Sequence, residues 1–287
     1  MPSVARVQRL SDTIESSMDL HVIKKSVATP DVLVRAVKRA LAILARLIAT
    51  ETYLEGATAF SSADRSLLAS ANQATDLRLP PGVSAAKVLD TIDVHFAAST
   101  VRCASLDASE LDWPADLQAA IESRGWRAVR RNVYLLSDYV PPVANAAVQV
   151  IPGRAAYAEL RLALTDHVAR QHHDAARVTQ QVEAAMDQLD DSRIDVFLAR
   201  QARKPVGVAS LLTLGNIGVV LDLFDLSSHD SSDVFVTLAA RLFDHCLRAQ
   251  FEQVLLCLDE GDAQLPRFAA LGFKAVASYV CYVRADS

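Results

Sequence analysis

One pattern occurs twice, and it constrains the fold more than any other feature of the chain. Residues 125–135 read GWRAVRRNVYL and residues 272–282 read GFKAVASYVCY. Each is glycine, aromatic, base, Ala, Val, three variable residues and Val. Each follows an apolar run, RCASLD at 102–107 and VLLCLDE at 254–260, and then a helical stretch. A strand, a helix stopped by glycine and a second strand therefore appear once in each half. The pattern points to duplication of an α/β unit. Two units also suit 287 residues better than one.

The remaining elements fill in around this repeat. Residues 1–29 read as a polar tail, or as carrying a short first strand at 20–23. A helix follows from Thr29-Pro30-Asp31. At about 100° per residue, Arg35, Arg39 and Arg46 share one side, with Leu33, Val37, Leu41, Leu44 and Ile48 opposite. That is the pattern of a helix on a sheet; a basic helix on a membrane surface is the alternative. The rest of the first half reads as a strand near 57–60, loops and a weak helix up to 82, a helix at 84–98, a strand at 101–106, a helix at 115–123 and a strand at 126–136. SDYVPPVANAAV then supplies a linker at 141–147. It separates a first unit, 30–140, from a second, 148–287. The second reads as a strand at 148–151, helices at 155–171 and 175–189, and a strand at 195–202. A turn at Lys204-Pro205, a hairpin of strands 206–213 and 218–226 about Gly215-Asn216, and a helix at 234–250 follow. A strand at 254–259, a short helix at 266–270 and a strand at 273–283 close the chain.

Composition narrows the function classes. Apolar residues make up 51% and charged residues 22%, which supports a buried core and excludes general disorder. The net charge of -5 gives no reason to expect a nucleic-acid partner. The most apolar stretch, 206–226, is interrupted by Gly207, Gly215, Asn216, Gly218, Asp222 and Asp225, so no membrane span is expected. Cys103, Cys246, Cys257 and Cys281 form no CxxC pair and read as structural thiols in a cytoplasmic protein. His172-His173-Asp174 reads as a turn between two helices rather than a metal site, because adjacent helical side chains diverge.

Three segments of the second half, VFLARQARKPVGVASLLTL, LDLFDL running through a loop into VFVTLAARLFDHCLRAQ, and RFAALGFKAV, resemble the GNAT superfamily of acyl-CoA N-acyltransferases. The resemblance covers 148–287; the first half is similar only to the closing part of such a domain. It implies an α/β (α+β) fold of two GNAT-like domains, the first degenerate, each with a mixed central sheet flanked by helices. It also implies transfer of an acyl group, acetyl first of all, from acetyl-CoA or another acyl-CoA to a small-molecule or peptide amine. By that resemblance the pyrophosphate would meet backbone N–H groups where a strand turns into a helix. Here those positions are Leu226, Ser227, Ser228, His229, Ser231, Ser232, Asp233 and Val234. The loop 227–233, SSHDSSD, departs from the family pattern: it has no glycine to admit a close phosphate, no Arg or Lys, and two aspartates, Asp230 and Asp233. Ser228 or Asp230 serves equally well as a helix N-cap. The family's tyrosine that protonates the leaving thiolate falls on Phe268, which has no proton to give. Asp222, on the strand before the loop, is the candidate general base. By position, His167 or His172 would touch the amine. A non-catalytic GNAT-like scaffold with a decayed cofactor loop is the alternative, and an open gap between the strands ending near Leu226 and Leu258 is what separates the two readings. The sequence sets no oligomeric state.

Overall fold

The computed structural model describes residues 28–137, 139–226 and 232–284, with Ser232 described in its backbone only. The strand expected at 20–23 lies outside them. The first half contains α1 (Pro30–Ile48), β1 (Thr50–Leu54), β2 (Ala57–Ser61), β3 (Gln73–Leu77), α2 (Ala85–Ala98), β4 (Ser105–Ala108), α3 (Ala115–Ser123) and β5 (Trp126–Leu136). The second contains β6 (Val148–Pro152), α4 (Tyr157–Gln171), α5 (Ala175–Asp187), β7 (Ile194–Gln201), β8 (Lys204–Leu214) and β9 (Ile217–Asp225). It closes with α6 (Ser232–Arg248), β10 (Gln253–Asp259), α7 (Leu265–Ala270) and β11 (Phe273–Arg284). The α/β class and the two-unit arrangement are both present. The first half matches more than the closing part of the second: three strands, helix, strand, helix and strand recur in the same order.

Local packing repeats as well. Helix α2 ends with Thr100 at φ 58 and a Val101 N–H bond to Phe96 O; α6 ends with Gln250 at φ 55 and a Phe251 N–H bond to Cys246 O. Both are Schellman caps whose left-handed residue is not glycine. This explains why the strand expected at 101–106 begins only at Ser105: Val101 closes the helix instead. A Cβ on Gly207 would lie 2.6 Å from Phe224 O and 3.0 Å from Val234, and one on Gly56 would lie 2.9 Å from Arg78 O and 3.0 Å from Val88. In each half, a glycine lets the first turn of the helix after the third strand sit tightly on the sheet.

The strands form one sheet, ordered β1-β2-β3-β4-β11-β5-β10-β9-β8-β7-β6. The closing strands are exchanged: β5 lies against β10 of the second half, and β11 lies against β4 of the first. The two repeated motifs pair with each other, antiparallel. The repeat offset carries the pair Val133↔Ala277 onto Arg130↔Val280, and both pairs are present, so the register is symmetric about a local twofold axis over these central pairs, up to a bulge between Ala275 and Ala277. One face of the sheet carries α2, α3, α6 and α7, and the other α1, α4 and α5. Helix α1 buries Leu33, Val34, Val37 and Ile43 against Val133, Leu212, Val219, Leu255 and Tyr279, strands of both halves, so its apolar stripe faces the sheet. Among the described residues no helix is long and apolar enough to cross a membrane.

Two turn positions differ from expectation. The β7–β8 turn falls at Ala202-Arg203, with φ 49 and 65, and not at Lys204-Pro205. Two consecutive positive φ values match the twist of a tight hairpin, and Pro205 sits at the start of β8 opposite Arg200, where no ladder donor is needed. Strands β1 and β3 were not expected, because TETYL and QATDL are short and mostly polar.

Candidate functional site

The site begins where two parallel strands part. Strands β9 and β10 pair from Ile217↔Gln253 to Val220↔Leu256 and no further. The break coincides with a bulge: Ser210 faces Asp222 while Leu211 faces Val220, which leaves Leu221 extra. An added residue bends a strand and increases its twist, so β9 swings from β10, whose end stays paired to β5 through Asp259↔Arg131. The ladder between β9 and β10 thus ends where the resemblance expects a gap. Leu226 N–H bonds to Val206 O at 2.7 Å, on the β8 side. Strand alternation then turns the N–H and C=O groups of Leu223 and Asp225 toward the edge that β10 leaves.

Side chains frame this opening on both faces. On one, Asp225 pairs with Arg267 of α7, whose guanidinium lies 3.8 Å above the Phe235 ring of α6. Phe268 is buried against Phe235 and Phe273. On the other face, exposed Asp222 accepts a 2.8 Å hydrogen bond from Ser210 Oγ, itself buried. His167 of α4 stacks on Phe224, ring centroids 3.6 Å apart. Burial holds its imidazole below the usual value; Asp222 and Asp225 oppose that effect and Arg170 adds to it. Burial thus favours the neutral ring, whose Nε2 lies 2.9 Å from the Gln171 side-chain amide and accepts from it. Arg170 Nη1 donates to Leu226 O at 2.6 Å and fixes the strand end.

The candidate cofactor residues divide. Ser227, Ser228, His229 and Ser231 lie outside the described residues, as does Asp230, and for Ser232 only its place at the start of α6 is described. Leu226 is buried, and its backbone is engaged as above. Val234 is a core residue of the first turn of α6. Asp233 accepts from Asn145 Nδ2 at 2.9 Å, while Asn145 N–H donates to Thr237 Oγ1 at 2.9 Å. The connection between the halves is thus tied to the helix start, a contact with no sequence signal. Backbone groups of Leu223 and Asp225 suit the amide-bearing arm of coenzyme A; the acidic first turn gives its phosphates no basic side chain.

Tyr279 and Tyr282 are core residues. Tyr282 Oη donates to Glu122 at 2.9 Å, and Tyr279 Oη lies 3.7 Å from Cys257 Sγ. His172 closes α4 and Asp174 caps α5 through its bond to Ala176 N–H at 2.8 Å, as the turn reading expects. The four cysteines are free, and burial pushes the Cys103 and Cys246 thiols up to about 12. Sequence reasoning missed a cleft between the halves. One lobe, of about 620 Å³, lies between the α4–α5 turn and residues 66–69, 102–104, 124–125 and Arg284. A second, of about 310 Å³, shares His172 and Arg177 with it and reaches Asp222. Its residues are far apart in sequence and carry no common motif.

The sequence matches no family model and no curated protein. Solved structures do resemble most of the chain. A GCN5-related N-acetyltransferase from Kribbella flavida is 16% identical with a TM-score of 0.58, over 89% of this chain and 96% of that one. The chain has the GNAT fold. A functionally unknown conserved protein from Staphylococcus epidermidis is similar to this chain at 15% identity and TM-score 0.58, over 83% of this chain and 94% of that one. A tandem GNAT protein from the clavulanic acid biosynthesis pathway is similar at 16% identity and TM-score 0.50, over 73% of this chain and 74% of that one. With the GNAT fold placed on both halves, the open strand pair, the bulge at Leu221 and the start of α6 all belong to the second.

Proposed function

We propose that residues 148–287 form an acyl-CoA-dependent N-acyltransferase domain, joined by 141–147 to a first GNAT-like half that does not bind the cofactor. The observation that supports this is the parting of β9 from β10 at the Leu221 bulge, which leaves strand-edge hydrogen-bonding groups beside a cleft that contains Asp222. Coenzyme A would supply the activated acyl thioester. Leu223 and Asp225 would align its amide arm through backbone bonds. Asp222, oriented by Ser210, would accept the proton lost by the amine as its nitrogen bonds to the acyl carbon and the carbon–sulfur bond breaks. His167, in the field of Asp222, would be the second acceptor for that proton once its Nε2 releases the Gln171 amide. No tyrosine replaces Phe268 as the thiolate's acid, so solvent would supply that proton.

A scaffold without activity is the second reading. The Arg267–Asp225 pair across one face of the opening and the acidic, glycine-free loop favour it. Calorimetric titration of the full chain with acetyl-CoA separates the two. Micromolar binding, with Asp222→Asn lowering turnover of an accepted amine about a hundredfold at unchanged affinity, supports the transferase. Absence of heat up to millimolar acetyl-CoA leaves the scaffold.

A further inference from the structure

The larger lobe of the cleft is strongly basic in a protein of net charge -5. Arg102, Arg124, Arg177 and Arg284 line it with His172 and His173, against a single aspartate, Asp174. That carboxylate is already engaged in capping α5. The arginines are of two kinds. Arg124 is held by Asp90 and Asp93 at 2.7 and 2.9 Å, and Arg284 by Asp93 at 2.9 Å, with its guanidinium 4.8 Å from the Trp126 ring. Arg102 and Arg177 have no acid paired with them among the described residues, and Arg177 Nε is buried without a hydrogen-bond partner. Arg177 also borders a neighbouring groove beside β5, where Arg131 meets Asp259 at 3.0 Å and Arg130 faces Glu260 at 3.9 Å.

Unpaired guanidinium groups in a concave, partly buried site attract an oxyanion, which they bind through paired N–H donors. Arg177 also borders the smaller lobe, at whose far side lies Asp222. The cleft is thus polarised, with cationic groups at one end and a carboxylate at the other. We infer that the cleft takes an amine that also bears an oxyanion, carboxylate or phosphate, with the oxyanion between Arg102 and Arg177 and the amine toward Asp222. Identifying that amine as the acyl acceptor rests on the transferase reading; the oxyanion site does not.

Calorimetry on the full chain with inorganic phosphate and with succinate tests the site and distinguishes the two oxyanion sources. Wild-type protein is expected to bind one of them with a submillimolar Kd. The double variant Arg102→Gln/Arg177→Gln should bind it at least tenfold more weakly, about the value of one charge-assisted bond, with acetyl-CoA affinity unchanged. Because neither side chain is paired with an acid, the variant should keep the wild-type thermal midpoint, which shows that it is folded. No binding of either oxyanion by protein that binds acetyl-CoA overturns the inference and leaves the transferase reading intact. Oxyanion binding without acetyl-CoA binding does the reverse. Equal oxyanion affinity in variant and wild type, or loss of acetyl-CoA affinity in the variant, overturns the assignment of Arg102 and Arg177.

Discussion

The two halves repeat one topology but differ at the parallel strand pair in each. In the second half, β9 and β10 part after Val220↔Leu256 and do not meet again. In the first, β3 and β4 pair at Ala74↔Leu106, pass an irregularity at Asp76, whose φ is 55, and re-pair at Leu77↔Ala108. One half therefore uses its extra residue to open a ladder and the other to reset it. An open ladder leaves backbone donors and acceptors for a ligand, whereas a reset one satisfies them internally. A duplicated scaffold has kept its shape twice and its opening once. Through the exchange of β5 and β11 the closed half braces β10, so that only β9 is free to swing away.

If the exchange welds the halves, a core deletion in either should be felt by both. Leu106→Ala on β4 and Leu255→Ala on β10, both almost fully buried, should each cost about 2–5 kcal/mol and lower one shared urea transition. Two separated transitions would mean that the halves unfold independently. The glycines sharpen the contrast at somewhat smaller cost. Gly207→Val should lose about 3 kcal/mol, since its Cβ would press on a carbonyl oxygen, and Gly56→Val at least as much, since its φ of 86 adds backbone strain to the same crowding. Only Gly207→Val should also weaken acetyl-CoA binding, because only there does the displaced helix start flank an open ladder. Equal loss of binding in both would erase the functional distinction between the halves.

The smallest expected effect is one of pH. Burial lowers the pKa of His95 in the first half and of His167 in the second. The sign follows: the unfolded chain takes up protons first as pH falls past the usual histidine value near 6.5, and the folded chain resists. Stability from both groups is thus present above that value and is lost as pH falls through the depressed folded values. His167→Phe, which keeps a ring over Phe224, should flatten the fall in urea midpoint between about pH 7.5 and 5.5. An unchanged slope would show that His167 is not protected from protonation.

Much of the architecture was legible because it is written in local terms. Leu33, Val37 and Ile48 mark the buried stripe of α1, and Gly125 and Gly272, at φ 79 and 98, mark the starts of both closing strands. Elements that depend on partners were not legible. TETYL and QATDL gain strand geometry from β2 between them. Thr100, Ala202 and Gln250 take left-handed conformations that sequence usually assigns to Gly or Asn. The exchange left no trace, since a closing strand has the same alternation whichever half it joins. At the site, Asp222 was legible as a candidate because the GNAT resemblance expects a carboxylate on that apolar strand. Arg102 and Arg177 were not, because only the fold brings the residue after the α2 cap to the first turns of α5.

The most direct test of the account is amide hydrogen exchange with and without acetyl-CoA. The account predicts slowed exchange at Leu223, Asp225 and the first turn of α6, with none at β3, β4 or the start of α2. Protection at the first-half strand pair, or none in either half, would contradict it.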